Sequence, residues 1–244
     1  MQDLHIHTVF SDGEKTISQI YGKSQIYGIE IGISDHILCK KMCDKSSVVN
    51  YLDILSKYPV LKGGEIDLGE TGIIDDVILS KSDYIIGSIH SVDIGGQTIR
   101  LEKYFDCRDK WKILHKDFIF DDLICCKAMD VILDTVRNEL SANPITIIGH
   151  CTVNPFYEQV NSKYRFEWEN ELISICKANN TAIEISGSWI EPSVDFIRRA
   201  LVQKVKVSFG SDCHTDYTNK YLDYYSFIAR HTNIEERDVL KIGK

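Results

Sequence analysis

The sequence predicts an α/β fold in which seven parallel strands form a closed or nearly closed barrel. Short β-type apolar runs alternate with amphipathic helical stretches along most of the 244-residue chain. Such alternation requires parallel strands joined by right-handed crossovers, and seven units favour a barrel over an open sheet. In addition, no Gly-x-Gly-x-x-Gly motif follows an early strand, which argues against a dinucleotide-binding sheet.

Seven segments have the length and the apolar content of buried strands. They span residues 3–7, 29–34, 60–66, 84–90, 145–150, 182–186 and 205–210. Helical periodicity lies between most of them, at residues 17–26, 48–55, 118–140, 168–178 and 194–202. No repeat, low-complexity tract or proline-rich linker interrupts this pattern, so we expect residues 1–244 to form a single domain.

The chain carries no signal for export or membrane insertion. Its apolar runs are shorter than the roughly 18–20 residues needed to cross a bilayer. The opening Met-Gln-Asp-Leu-His is not a basic region followed by an apolar stretch. We therefore expect a cytoplasmic protein with no membrane partner.

Charge and cysteine content narrow the function classes. The formal net charge is −8, whereas a nucleic-acid groove needs a basic stripe, so no nucleic-acid partner is expected. Bound cations would neutralise part of this charge. The eight cysteines form no Cys-x-x-Cys pair and lie mostly inside apolar runs. This is typical of reduced cysteines that pack as small core residues.

Six of the eight histidines fall at the end of a predicted strand or just after one, and three acidic residues occupy matching positions. In parallel β/α barrels the carboxyl ends of the strands meet at one rim, where side chains from distant segments line a single pocket. The nine residues are His5, His7, Asp12, His36, Glu65, His90, His150, Asp212 and His214. His115 and His231 lie away from strand ends, and we interpret them as ordinary hydrogen-bonded residues.

The chemistry of this set predicts a metal site. His5 and His7 are two positions apart, so in a strand they face the same side. Imidazole and carboxylate together suit Zn²⁺, Mn²⁺ or Fe²⁺. Glu65 closes an apolar strand, where an unpaired carboxylate is costly to bury. A bridging metal ion explains a glutamate at this position better than a salt bridge does. Asp12 precedes Gly13, so a turn is the alternative role there.

Several segments resemble the motifs of the PHP (polymerase and histidinol phosphatase) family, in the family's order and at its spacing, across residues 3–215. Asp-Leu-His-Ile-His-Thr-Val-Phe-Ser-Asp-Gly at residues 3–13 is similar to the first motif. The others are Ile-Ser-Asp-His at 33–36, Gly-Glu at 64–65, Ile-Gly-Ser-Ile-His at 86–90, Ile-Gly-His at 148–150 and Gly-Ser-Asp-Cys-His-Thr at 210–215. The segment at 86–90 is similar to the histidinol-phosphatase-like branch.

The resemblance implies a distorted TIM-like (β/α)7 barrel with two or three divalent ions (Zn, Mn or Fe) at its rim. The implied ligands of the first ion, which would also hold the reacting water, are His5, His7, Glu65 and Asp212. The second ion would share Glu65 with His90 and His150, and the third would take Asp12, His36 and His214. Asp35 would orient a ligand without binding metal, and Asp3 would do the same or cap a turn.

The implied activity is hydrolysis of a small phosphorylated substrate by water at these metals. The leading expectation is a phosphomonoesterase similar to histidinol-phosphatase, which splits histidinol phosphate into histidinol and phosphate in histidine biosynthesis. A phosphodiesterase or nuclease of the same family and a non-catalytic PHP module are the alternatives. The sequence departs from family phosphatases at Cys151-Thr152, where Ile-Asp is common, and at Ser188, where a basic residue is common. Trp189 would stack on a substrate ring or anchor its loop.

A phosphoryl dianion also needs a cationic side chain for orientation, and arginine offers a paired-donor fork. Arg165 is the first candidate, because residues 151–166 follow a ligand-bearing strand as a long connection that should overhang the pocket. The alternative for Arg165 is a surface ion pair with Glu167 or Glu169. Arg100, in the loop after the fourth predicted strand, is the second candidate.

Overall fold

The computed structural model describes residues 1–101 and 121–243. The strands within these ranges are short, from two residues to five. In chain order they are β1 (Gln2–Asp3), β2 (Glu30–Ile33), β3 (Leu61–Lys62), β4 (Glu65–Asp67), β5 (Ile86–Ser88), β6 (Ser91–Ile94), β7 (Gln97–Arg100), β8 (Ile147–Ile148), β9 (Ala182–Ser186) and β10 (Val207–Gly210).

Helices follow most of the parallel strands, and most helices begin where a side chain caps the free amides of the first turn. They are α1 (Ile17–Tyr27), α2 (Lys45–Leu55), α3 (Asp76–Lys81), α4 (Asp122–Ala142), α5 (Ser162–Asn179), α6 (Val194–Val202) and α7 (Tyr221–Thr232). Thr16 caps α1 in a reciprocal capping box with Gln19. Asn161 caps α5 by accepting a hydrogen bond from the amide of Tyr164. A 3-10 turn, Glu236–Asp238, comes after α7.

Two parallel sheets position the strands, with the orders β1-β2-β3 and β10-β9-β8-β5-β4. The single strand predicted at residues 60–66 is wrong, because the chain leaves one sheet and enters the other at Gly63 and Gly64. Both positions require glycine. A Cβ at Gly63 would lie 2.3 Å from the ring of Tyr84, and one at Gly64 would lie 2.5 Å from the side chain of Ile37.

Backbone hydrogen bonds link the two sheets at both junctions. Leu4 N donates to Phe209 O at 3.0 Å, which connects the segment after β1 to β10. At the other junction, Glu65 N donates to Asp35 O at 3.1 Å. An α/β fold with parallel strands and covering helices is therefore confirmed. Closure into one barrel stays a prediction, because the strands pair as two separate sheets.

The helices cover the sheets with apolar faces of helical spacing. In α4 the buried residues recur every three or four positions, as at Ala128, Ile132 and Val136. This spacing places them on one face, where each large aliphatic side chain stabilises the fold by about 1.5–3 kcal/mol on burial. One hydrophobic cluster contains buried residues from Ile6 to Ile228, so it packs helices from both halves of the chain against the strands.

Other elements differ from the prediction. A hairpin formed by β6 and β7 was not predicted, although Gly95 and Gly96 supply the positive φ angles, 62° and 82°, of its turn. Likewise, α3 and α7 were not predicted. The helix expected at 168–178 begins at Ser162, because Asn161 is a strong cap. Within the described residues, no helix is both long and apolar enough to cross a membrane.

Candidate metal centre

The nine residues singled out from the sequence surround one cleft at the carboxyl ends of the parallel strands. The cleft has a volume of about 580 Å³, and eight of the nine line it. The ninth, His5, is fully buried, and its ring lies 5.1 Å from that of His7. The structure thus brings together residues from the beginning, middle and end of the chain.

Glu65 lies at the centre of the cluster. Its Oε1 faces three imidazole nitrogen atoms at 3.4 to 3.5 Å, and its Oε2 faces two more at 3.4 and 3.0 Å. The histidines are His5, His90 and His150 at Oε1, and His7 and His36 at Oε2. A single buried carboxylate therefore contacts imidazoles that follow four different strands.

Many of these atoms are buried and have no hydrogen-bond partner among the described residues. They are His5 Nε2, His7 Nε2, His36 Nδ1 and both carboxylate oxygens of Glu65. Buried polar atoms are nearly always satisfied, and an unsatisfied one costs about 1–3 kcal/mol. A divalent cation would satisfy them together, since Zn²⁺ takes imidazole nitrogen and carboxylate oxygen as ligands at about 2.0–2.2 Å. The donor set therefore fits a metal ion.

Asp12 forms a second group of candidate ligands on the open side of the cleft, where its side chain is 41% exposed. Its Oδ1 lies 3.3 Å from His7 Nδ1 and 3.4 Å from His214 Nε2, and its Oδ2 lies 3.3 Å from His36 Nε2. These four residues bring their ligand atoms within 4.8 Å of one another. The turn role considered for Asp12 does not account for its three histidine contacts.

Two carboxylates that sequence reasoning did not assign to the site orient its histidines. Glu184 Oε1 lies 2.6 Å from His5 Nδ1, and Asp67 Oδ1 lies 2.5 Å from His90 Nδ1. Bonds of this kind fix the ring orientation of a metal-binding histidine. A signal existed for both, because Glu184 interrupts an apolar strand and Asp67 lies two positions after Glu65, on the same strand face.

Asp35 holds the segment after β1 in place. Its fully buried carboxylate accepts hydrogen bonds from Thr8 N and Thr8 Oγ1, both at 2.7 Å, and from Ser11 Oγ at 2.6 Å. Ser11 Oγ also lies 3.0 Å from Asp12 Oδ1 and 3.3 Å from His7 Nδ1. Asp35 thus contacts residues that contact the candidate ligands.

Asp3 connects β1 to the segment after β10. It accepts hydrogen bonds from Ser211 N at 2.9 Å and from the Tyr217 hydroxyl at 2.8 Å. Burial raises the pKa of Asp3 to about 6, although these hydrogen bonds oppose the shift. Its contacts match the orienting role more closely than a turn cap, because they fix the strand end that carries Asp212.

Opposite charges within the cluster strongly shift the pKa values of His7, Glu65 and Asp212. Burial lowers the pKa of His7, but Asp12, Asp212 and Glu65 raise it more, to about 10. Burial raises the pKa of Glu65, but the surrounding histidines hold it well below its ordinary value. The pKa of Asp212 is held well below its usual range in the same way. The cluster therefore favours cations, whether protons or metal ions.

Backbone strain is concentrated at two of these residues. His150 and Asp212 adopt positive φ angles of 26° and 51°, which residues other than glycine rarely do. The amide of His150 donates to Glu184 Oε2 at 2.7 Å, and the amide of Asp212 donates to the His5 carbonyl at 2.8 Å. Strain of this kind is retained where the surrounding structure fixes a functional geometry.

The connection between β8 and α5 ends at Asn161, and the segment that carries Arg100 forms a hairpin, so neither arginine lies in the loop predicted for it. Arg165 lies in the first turn of α5, with its guanidinium 4.8 Å from the Tyr157 ring centroid and Nη2 donating to Val160 O at 3.3 Å. Arg100 ends β7, and its Nη1 lies 3.9 Å from Glu70 Oε1. Neither arginine is among the described residues that line the cleft. Their contact with substrate stays a prediction.

Lys40, Ser188, Trp189, Thr215 and Tyr221 line the cleft beside the cluster. Lys40 is thus a cation at the cleft that sequence reasoning missed. His231 lies on α7 with Nδ1 2.7 Å from Phe227 O, as an ordinary hydrogen-bonded residue. The prediction for His115 concerns a position outside the described residues.

Comparison with solved structures places this fold among known ones. The chain is similar to the histidinol phosphate phosphatase of Lactococcus lactis subsp. lactis, which was solved in complex with Zn, L-histidinol and phosphate. The TM-score is 0.65 and the sequence identity is 17%, and the match covers 100% of this chain and 98% of that one. A weaker match is N-isopropylammelide isopropylaminohydrolase of Burkholderia multivorans, with a TM-score of 0.43, 12% identity, and coverage of 96% of this chain and 54% of that one. No family model and no curated protein sequence matches the chain. The chain therefore shares the α/β fold of the first of these proteins.

Proposed function

We propose that this protein is a metal-dependent phosphoester hydrolase of the PHP type. The observation that carries the proposal is the convergence of buried, unpartnered imidazole nitrogen atoms on both oxygens of Glu65. The motifs at residues 3–13 and 210–215 support it. The fold shared with a phosphatase solved with zinc and phosphate is consistent with it.

We propose two or three divalent ions, of Zn, Mn or Fe, with ligands shared through Glu65. Three of the groups of close ligand atoms correspond to the three expected ions. The first group is His5, His7 and Glu65, and Asp212 lies beside it, 3.3 Å from His7 Nε2. The second group is Glu65, His90 and His150. The third group is Asp12, His36 and His214, together with His7. His7 Nε2 faces Glu65 and Asp212, and its Nδ1 faces Asp12, so we propose that His7 would hold the first ion through Nε2.

The finer fold proposal is a distorted seven-position barrel formed by residues 1–244 as one domain. The strands β1, β2, β5, β8, β9 and β10 supply six of the seven positions, and β3 and β4 together supply the remaining one. The hydrogen bonds from Leu4 to Phe209 and from Glu65 to Asp35 support closure. In this arrangement all the candidate ligands lie on one rim, as the active sites of β/α barrels do.

The chemistry expected of such a centre is hydrolysis: water attacks phosphorus, the bond between phosphorus and the ester oxygen breaks, and the alcohol leaves with a proton. Divalent ions promote ionisation of water near neutral pH and offset charge on phosphoryl oxygens. The chain's own residues orient this centre. Glu184 and Asp67 bind the Nδ1 atoms of His5 and His90, so the Nε2 atoms of both rings point toward Glu65. Lys40, at the cleft, is placed to attract an anionic substrate.

The proposed substrate is a small phosphomonoester, and histidinol phosphate is the first one to test. The net charge of −8 weighs against a nucleic-acid polymer as the substrate. The cleft of about 580 Å³ has room for an alcohol group beside a phosphate. The same assay tests two competing proposals. One is that the substrate is a phosphodiester, and the other is that the protein has no catalytic role.

The test is a substrate panel run with the full chain, first stripped with a chelator and then reloaded with Zn²⁺ or Mn²⁺. We expect hydrolysis of p-nitrophenyl phosphate and histidinol phosphate that depends on added metal. Bis-p-nitrophenyl phosphate should be a much poorer substrate. A faster diesterase reaction would replace the monoesterase proposal. Metal-loaded protein that hydrolyses none of these esters would contradict both.

A further inference from the structure

The indole of Trp189 lies at the cleft and contacts the candidate metal centre. Its Nε1 donates a 2.6 Å hydrogen bond to Asp212 Oδ2. Its ring lies 6.3 Å from the imidazole of His150, inclined at 65°. The same side chain lines the cleft. Trp189 therefore touches one candidate ligand directly and borders the space where a substrate would bind.

The two carboxylate oxygens of Asp212 have different surroundings. Oδ1 faces three histidine nitrogens, at 3.5 Å for His5, 3.3 Å for His7 and 3.6 Å for His214. Oδ2 accepts the indole N–H. A carboxylate held in this way can offer Oδ1 to an ion while Oδ2 is occupied, so the indole determines how Asp212 would bind a metal.

The loop that carries Trp189, residues 187–193, is fixed against the strand end that carries Asp212. Ser188 Oγ donates to Ser211 O at 2.6 Å. The next residue after Trp189, Ile190, has a φ of 60° and is 63% exposed. A β-branched residue in this conformation is strained, and such strain is typical of segments whose geometry serves a site.

The cleft beside the metal centre has aromatic walls. Trp189 and Tyr221 both line it, together with the hydroxyl-bearing Ser188 and Thr215. Its volume of about 580 Å³ exceeds the space that a phosphate group occupies. Aromatic side chains bind planar rings by offset or edge-to-face contact. The alcohol part of an ester bound at the metals would lie against this wall.

We propose that Trp189 has two roles: it positions Asp212 for metal binding, and it forms the wall that recognises a planar ring in the alcohol part of the substrate. This rests on the proposed function as a phosphomonoesterase, and it narrows the substrate class to ring-bearing esters. An aromatic or imidazole-bearing alcohol fits this class, whereas a purely aliphatic alcohol does not.

The positioning role is tested by metal affinity, which needs no turnover. Trp189→Phe keeps an aromatic ring but removes the N–H, so Zn²⁺ affinity, measured by competition with a chromophoric chelator, should fall about tenfold or more. Trp189→Leu, which also lacks the N–H, should show the same loss. Trp168→Phe is the matched control, because the Trp168 indole donates a buried 2.8 Å hydrogen bond to Met129 O, which is not a candidate ligand. Wild-type Zn²⁺ affinity in both Trp189 variants would overturn this role.

The recognition role is tested with two phosphonates that cannot be hydrolysed, phenylphosphonate and methylphosphonate. Calorimetry on the Zn²⁺-loaded wild type should show a preference of about five- to tenfold for the phenyl compound. Trp189→Phe should keep this preference and Trp189→Leu should lose it. An undiminished preference in Trp189→Leu, or none in the wild type, would overturn the ring-binding role. Because binding is measured without catalysis, the two proposals can fail separately. A protein that prefers phenylphosphonate but hydrolyses no ester would contradict the proposed function and would still support the ring-binding role of Trp189.

Discussion

Glu65 and Asp12 are both acidic members of the candidate metal centre, but their surroundings differ. Glu65 is 1% exposed and faces five histidines. Asp12 is 41% exposed at its side chain and faces three. Removing the carboxylate of Glu65 takes away the group that five histidines share, whereas removing that of Asp12 affects three. The two residues should therefore differ in importance.

Replacing Glu65 by Gln should reduce phosphatase activity far more than replacing Asp12 by Asn. Both substitutions keep the side-chain size and remove the charge. We expect a loss in kcat of about a thousandfold or more for Glu65→Gln and about ten- to a hundredfold for Asp12→Asn. Metal content, measured by elemental analysis, should fall further in Glu65→Gln. Equal and mild losses in two folded variants would contradict the bridging position of Glu65.

The pKa of His7 predicts how pH affects the gain in stability on metal binding. Without metal, His7 is stabilised as a cation, with a pKa raised from 6.5 to about 10. This contribution is fully present below pH 6.5 and is lost as the pH rises through about 10. Metal binding requires the unprotonated ring. The difference in Tm between Zn²⁺-loaded and chelator-treated protein should therefore grow from pH 6.5 to pH 9.5. A difference that stays constant over this range would count against proton competition at the cluster.

At the scale of strands and helices, the sequence predicted the strand ends better than the connections. The β-type runs and the histidines at their ends gave the position of the cleft, because parallel strands bring their carboxyl ends together. The break at Gly63 and Gly64 was missed, since it depends on the tertiary contacts of Tyr84 and Ile37. The start of α5 at Ser162 was missed, although its capping residue, Asn161, can be recognised in the sequence. As a result, Arg165 was predicted in a loop but lies in a helix.

Close packing of β10 against β9 gives a test at this scale. A Cβ at Gly210 would lie 1.9 Å from Glu184 Oε1 and 2.7 Å from His5 Cβ. Gly210→Ala should therefore displace Glu184 from His5 and lower Zn²⁺ affinity about ten- to a hundredfold.

Gly22→Ala is the matched control for this change. Gly22 lies inside α1, and an added Cβ there meets nothing within 4 Å. This variant should gain about 0.5–1 kcal/mol in unfolding free energy with unchanged metal affinity. Gly210→Ala with wild-type Zn²⁺ affinity would show that Glu184 does not support His5 as described.

For the whole molecule, the candidate metal centre brings together residues from both ends of the sequence. His5 and His7 follow the first strand, whereas Asp212 and His214 follow the last one. Because an ion bound here would contact both ends of the fold, it would stabilise the folded chain against unfolding as a whole. The fold also brings to this cluster two acidic residues that the sequence analysis did not assign to it. Asp67 contacts His90, and Glu184 contacts His5.

The most direct test of the metal centre is elemental analysis of the full chain purified without chelators. The ligand geometry predicts about two or more equivalents of Zn, Mn or Fe per chain, removable by chelation and restored on adding metal. Less than about one equivalent, with no metal uptake and no activation on adding Zn²⁺ or Mn²⁺, would contradict the proposed metal-dependent hydrolase.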